Sequence, residues 1–221
     1  KKKKKVARAD AGTTRKVVRK KVRRRKTAAP SREQRDRRTI ASIEQMANAE
    51  SPSNVPAAQQ QVRDIIAGEF QRLGFLVRRI PGRNSGGMLH ARPTDRERGR
   101  AAQLLLGHYD TVWPLGTTAK RPFTVDGNII RGPGVFDMKG GLTQIVFALK
   151  AIRELGLELP LEPVIFVNSD EEIGSRTSRR YIRALAKCAR RAYVLEPSMG
   201  EEGAIKTERK GIGRFTITVH G

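Results

Sequence analysis

A single cysteine, Cys188, stands among 221 residues, so no internal disulfide supports the chain. Cys188 falls in register with Tyr181, Ile182 and Leu185 on the apolar stripe of a predicted helix, and is expected to be buried and inert. Long apolar runs are also missing. None approaches the roughly 20 residues needed to cross a bilayer, which excludes a membrane-spanning helix. The amino end has charge but no apolar core of a leader, so no secretory signal peptide is visible. Aromatic residues make up only 5% of the chain, and acids are outnumbered, 22 against 45 Lys and Arg.

The basic excess is not evenly spread. Residues 1–38 hold 19 Lys and Arg against Asp10, Glu33 and Asp36, a net +16 of the chain's +23. Such a segment repels itself and has little apolar surface to offset ordering entropy, so 1–38 is expected to be a disordered basic arm. A polyanion would bind it by counterion release. However, the arm has no aromatic residue for base stacking, so a solvated tail is preferred to a nucleic-acid arm. The chain begins on Lys1 rather than Met.

From residue 39 the pattern becomes that of a folded domain. Ile40, Ile43 and Met46 have helical spacing, with a stop expected near 50–53. A second helix is predicted over 57–73, with Gly74 as its C-terminal cap. Strands are predicted at 75–80, 88–91, 104–106, 164–167 and 192–195, with short ones at 123–125 and 128–130. Helices are predicted from 142 to 155 and over 178–190. Residues 213–219 alternate apolar and polar as a strand with one exposed face does. Strands alternating with helices imply a largely parallel sheet covered on both faces. In such sheets ligands sit beyond the carboxyl ends of the strands.

The residues at those ends are acidic. The apolar run 104–106 leads into His108 and Asp110, two residues apart and therefore on one side of a strand. An imidazole there can bind a metal while the neighbouring carboxylate fixes its tautomer. Asp137 opens a helix after a Gly-rich turn, Glu171 and Glu172 follow the strand at 164–167, and Glu196 ends the strand at 192–195. Crowded carboxylates repel one another unless some protonate or a cation enters. An oxygen and imidazole donor set suits zinc, with cobalt or manganese as alternatives. Two such cations sharing a carboxylate would acidify a water into a nucleophile. A hydrolase also needs a free base, and of the adjacent pair Glu171 and Glu172 one can bind metal while the other faces substrate. Lys139 is expected to be structural. His90 and His220 are expected to be ordinary strand residues. Gly132, Gly134, Gly140 and Gly141 lack the Gly-Lys-Ser/Thr ending of a phosphate loop.

Together, His108-x-Asp110, Gly132-x-Gly134-x-x-Asp137-x-Lys139-Gly140-Gly141, Asp170-Glu171-Glu172-x-Gly174-Ser175 and Leu195-Glu196-Pro197-Ser198 carry a family resemblance. They resemble the dinuclear zinc metallopeptidases that include glutamate carboxypeptidases, acetylornithine deacetylases, succinyl-diaminopimelate desuccinylases and aminoacylases. The match runs over residues 38–221. Thr111-Val112-Trp113-Pro114 and Lys206-Thr207-Glu208-Arg209-Lys210-Gly211 look most like the glutamate carboxypeptidase branch. The resemblance implies a three-layer α/β/α, zinc-exopeptidase-like catalytic domain with a mostly parallel mixed sheet, truncated before the lid domain. The arm would be 1–38, the catalytic domain 39–210, and the start of the lid 211–221.

The resemblance also implies roles. His108 and Glu196 would bind one metal, Glu172 the other, and Asp137 would bridge them. Asp110 would clamp His108, and Glu171 would be the general base. The peptide bond after Asp137 would be cis. The substrate would be a small peptide or an N-acyl amino acid, and the setting cytoplasmic. In the family the full-length protein often dimerises through the lid. The pattern departs after Val219-His220-Gly221, because the second-site histidine and the lid histidine of the family have no counterpart here. Activity of this stretch alone is therefore expected to be impaired. The competing readings are a nucleic-acid-binding protein acting through its arm and a metal-binding fragment without turnover.

Overall fold

The computed structural model describes residues 30–97, 99–211, 213 and 215–221. Most of the expected arm lies outside them. Helix α1 (Arg32–Asn48) nevertheless begins inside the stretch expected to be disordered. Its first turns bury nothing. They carry the i,i+4 ion pairs Arg37–Glu33 at 2.5 Å and Arg32–Asp36 at 3.8 Å, which support a polar helix start. The apolar stripe comes later, at Ile43, Met46 and Ala47. Helix α2 (Gln59–Arg72) ends at Gly74, whose φ of 83° is a value that favours glycine.

Among the described residues, seven strands follow the predicted segments: β1 (Phe75–Ile80), β2 (Met88–Pro93), β3 (Ala102–His108), β4 (Thr124–Asp126), β5 (Ile129–Arg131), β6 (Glu162–Asn168) and β7 (Ala189–Val194). Helix α3 (Thr117–Lys120) is a single turn. Helices α4 (Gly140–Leu155) and α5 (Arg179–Cys188) connect the later strands. The main sheet has the order β1-β2-β6-β3-β7, and β4 and β5 form a separate antiparallel hairpin. The sheet is mixed. The β1–β2 and β2–β6 pairs are antiparallel, and the β3–β6 and β3–β7 pairs are parallel.

The two faces of β6 explain the three layers. Ile165 and Val167 join the apolar cluster made with Met46, Val62, Ile66, Phe70, Leu142 and Ile145 from α1, α2 and α4. Val164 and Phe166 face the other way, toward Tyr181, Ile182 and Leu185 of α5. With both faces covered, all seven residues of β6 are buried, which is why its sequence is nearly continuous in apolar residues. The parallel trio β6, β3 and β7 places three carboxyl ends side by side.

Two further expectations fail. Cys188 is exposed, not buried. It is the last residue of α5, and the residues of that helix packed on the sheet are Tyr181, Ile182 and Leu185, one turn earlier. The alternating segment at the end forms no strand among the described residues, so His220 is not the strand-end residue expected. Phe215, Ile217 and Val219 are each more than four-fifths exposed, because no second strand supplies a ladder. Among the described residues, no helix is long and apolar enough to cross a membrane.

Candidate metal centre

β3 delivers His108 to the carboxyl edge of the sheet, where the side chain is only 1% exposed. Its Nε2 lies 3.0 Å from Asp137 Oδ1, 3.2 Å from Glu196 Oε1 and 4.0 Å from Glu171 Oε2. Glu172 completes a group with His108 and Asp137, and Glu171 completes one with His108 and Glu196. Within each group the ligand atoms lie within 4.8 Å of one another. The predicted residues therefore meet at one rim. Glu171, expected as base rather than ligand, shares a group with His108 and Glu196.

The other nitrogen of His108 faces inward. Nδ1 is 3.0 Å from the backbone oxygen of Asp110 and 3.4 Å from its Oδ1. A carbonyl acceptor there keeps a proton on Nδ1 and turns Nε2 toward the rim, where its lone pair serves a cation that displaces its own proton. The residue expected to clamp the ring thus does so through both its backbone and its carboxylate.

Glycines set the approach of the other elements. Gly134 adopts φ +70° in the turn before Asp137, and a Cβ there would meet Thr111 Cγ2 at 2.6 Å. A Cβ on Gly141 would meet the Leu195 carbonyl oxygen at 1.9 Å. The start of α4 thus packs directly against the end of β7, one residue before Glu196. This contact accounts for Gly141 without any phosphate. The Asp137–Met138 peptide bond is cis, as the resemblance implied. Lys139 is 1% exposed, and its Nζ donates to Ala49 O at 2.9 Å, a structural tie. Burial pushes its amine down to about 8.

The loop after β6 winds around Asp170, a buried residue the motif reading left without a role. Asp170 Oδ2 accepts from the backbone N–H groups of Thr177 at 2.7 Å and Ser178 at 3.2 Å, and Oδ1 accepts from Asn168 at 3.3 Å. Asp110 accepts from the N–H groups of both Glu171 and Glu172 at 3.2 Å. Sequence reasoning also missed the segment that lies against residues 109–111, just after β3. Ser51 Oγ donates to Tyr109 O at 2.6 Å, and Ser53 Oγ donates to Asp110 Oδ2 at 2.7 Å. Buried Gln59 donates to Pro52 O and Ser169 O and accepts from Gly86 N–H. These residues carry no motif. Their one signal is a cluster of polar side chains just after a helix stop.

The electrostatics point to a cation. Burial alone would lower the His108 imidazolium, but hydrogen bonds to Asp110, Asp137 and Glu196 outweigh it and push the ring up to about 12. Burial, and then repulsion from Asp137, Asp110 and Glu171, lifts Glu172 to about 7 against the pull of His108. Glu171 is raised as well, first by burial and then by its acidic neighbours. The cluster thus holds a proton on its imidazole and disfavours charge on Glu171 and Glu172. An imidazole and several carboxylates at one rim form a donor set that fits a zinc-like divalent ion. A separate cavity of about 540 Å³, lined by Leu73, Leu149, Ile152 and Glu162 among others, contains none of these residues.

The model of the family described as "Peptidase family M20/M25/M40" matches residues 104–219. Carboxypeptidase G2 of Pseudomonas sp. (strain RS-16) is 30% identical over 184 residues, covering 82% of this chain and 44% of that protein. Acetylornithine deacetylase of Salmonella arizonae is 34% identical over 140 residues, covering 61% of this chain and 35% of that protein. The chain therefore spans less than half the length of these relatives. Among solved structures, human carnosine dipeptidase 1 superposes with a TM-score of 0.62 at 18% identity, covering 73% of this chain and 39% of that one. The M20 family metallo-carboxypeptidase Sso-CP2 of Sulfolobus solfataricus gives 0.59 at 19% identity, covering 75% and 38%. These two likenesses concern the fold.

Proposed function

Because this chain belongs to peptidase family M20/M25/M40, we propose that it is the metal-binding part of a hydrolase that cleaves an amide bond beside a free carboxylate. The substrate would be a small peptide or an N-acyl amino acid, the two classes suggested by the names carboxypeptidase and acetylornithine deacetylase among its relatives. One observation carries the reading: His108 Nε2 lies within 3.2 Å of both Asp137 and Glu196, from three separate elements, with Glu171 and Glu172 beside them.

His108 and Glu196 would hold one divalent cation, Glu172 a second, and Asp137 would contact both. Zinc is the proposed ion, and cobalt or manganese suits the same donors. When bound, such ions polarise a carbonyl and lower the pKa of water. Glu171 takes the proton of the attacking water and passes it to the leaving nitrogen. Its raised affinity for a proton, caused first by burial and then by neighbouring acids, suits a group that must both take and return one. Asp110 fixes the Nδ1 side of His108 so that Nε2 faces the rim.

The test is Glu171→Gln. Turnover of N-acyl amino acids and dipeptides should disappear while zinc content by elemental analysis stays near that of the parent. Undiminished turnover would remove Glu171 as the base. A parent chain that binds zinc and cleaves nothing would leave only the metal-binding half of the reading.

A further inference from the structure

The carboxylate of Asp110 receives more than the imidazole it faces. It is fully buried, and four donors surround it. Oδ1 has Glu171 N–H at 3.2 Å and His108 Nδ1 at 3.4 Å. Oδ2 has Glu172 N–H at 3.2 Å and the hydroxyl of Ser53 at 2.7 Å. A carboxylate offers about four lone-pair sites. Three are taken by hydrogen bonds and the fourth faces His108 Nδ1, and the shortest contact comes from a residue 57 positions away in sequence.

Ser53 is itself held in place. Its N–H donates to Thr111 O at 3.1 Å, and Thr111 N–H donates to Ser51 O at 2.9 Å. Residues 51–53 thus form a one-rung parallel strand against the chain that leaves β3. Ser53 is only 5% exposed, so bulk water does not reach its hydroxyl.

We propose that Ser53 is a positioning residue of the metal centre, acting through Asp110 on His108 and on the loop that carries Glu171 and Glu172. The inference rests on the metal-hydrolase reading given above. The terminal torsion of an Asp side chain is broad and roughly two-fold, so hydrogen bonds must fix its rotation. The two N–H donors lie on a loop, and His108 Nδ1 has the Asp110 backbone oxygen as a nearer partner. Ser53 is the donor fixed by an independent element. With its hydroxyl gone, Oδ2 keeps only the Glu172 N–H, and the carboxylate can rotate away from both glutamates. The cost appears as metal affinity, because the groups that hold ligands in orientation are worth about 10–100-fold in binding.

The experiment titrates the metal-free full chain with cobalt(II), following visible absorption, for four proteins: parent, Ser53→Ala, Ser53→Thr and Ser51→Ala. Ser51→Ala removes a hydroxyl from the same clip, one that contacts Tyr109 O and not Asp110, so it controls for structural loosening. Ser53→Ala should bind cobalt about tenfold more weakly with an altered absorption band. Ser53→Thr, which keeps the donor, should restore both, and Ser51→Ala should stay within about twofold of the parent. Equal weakening by Ser53→Ala and Ser51→Ala would overturn the assignment, as would parent-like affinity and spectrum in Ser53→Ala. If Ser53→Ala does not fold, Ser53→Cys, similar in size with a weak donor, takes its place under the same criteria. A parent chain that takes up no cobalt overturns the metal reading and this assignment with it. Failure confined to Ser53→Ala leaves the metal reading standing.

Discussion

Replacing Gly141 by alanine sets two effects against each other. Alanine is favoured over glycine within a helix by up to about 1 kcal/mol, so propensity alone predicts a more stable protein. Position 141 lies in the first turn of α4, where that gain is at its smallest. Against it, the new Cβ would lie 1.9 Å from Leu195 O and 3.0 Å from Leu195 C. Both atoms are backbone and cannot swing aside, so α4 and the end of β7 must part by roughly 1.5 Å to restore van der Waals contact. Overpacking of this kind costs about 1–3 kcal/mol, and a rigid obstacle belongs at the upper end. The net expectation is a loss of about 1–2 kcal/mol, a fall of roughly 2–8 °C in Tm for a chain of this size. Because Glu196 follows Leu195, zinc affinity should fall as well. Circular dichroism melts and zinc titration of parent and variant measure the two effects. A rise in Tm would mean that propensity wins and that the close approach of α4 to β7 is wrong.

Other perturbations test other parts. Gln59→Ala leaves Pro52 O, Ser169 O and Gly86 N–H without their partner in a buried place and should cost about 2–4 kcal/mol, read from urea unfolding with an unchanged m value. His90 in β2 is held below its ordinary value of 6.5, first by burial and then by Arg92, Arg78 and Arg96. The unfolded chain therefore takes up that proton first, so this contribution to stability is full above pH 6.5 and is lost as pH falls. His90→Gln should lose less stability than the parent between pH 7.5 and 5.5 in urea melts, and equal losses would contradict the burial argument. Zinc at 100 times its Kd should raise stability by about 2.7 kcal/mol, and chelation should reverse it. A melt indifferent to zinc and chelator would count against the metal centre.

The strand ends were readable in the sequence because apolar runs stop where the acidic motifs begin. β3 and β6 each bury a short apolar stretch and then deliver His108 or the Glu171–Glu172 pair, and the largely exposed β7 ends just before Glu196, so chain order brings them to one edge. The antiparallel half of the sheet was less legible, since β1 and β2 pair through backbone groups that leave no mark in sequence. The start of α1 was misread because charge density was taken for disorder, whereas i,i+4 pairs hold its first turns. Cys188 was misread because helical spacing says which side a residue takes and not how far the neighbouring layer extends. Ser51, Ser53 and Gln59 escaped notice because their partners are mainly backbone atoms distant in sequence, and no periodicity encodes such contacts.

Glu196 is attached to the outermost strand of the parallel trio. Among the described residues β7 pairs with β3 alone, and five of its six residues are exposed. Outer strands are where amide protons exchange first through local opening. Each such fraying event would withdraw one carboxylate from the rim while His108, on the interior strand, stayed put. An ion held at both ends would then act as a rivet for that margin, and deuterium uptake along 189–194 should slow when zinc is present.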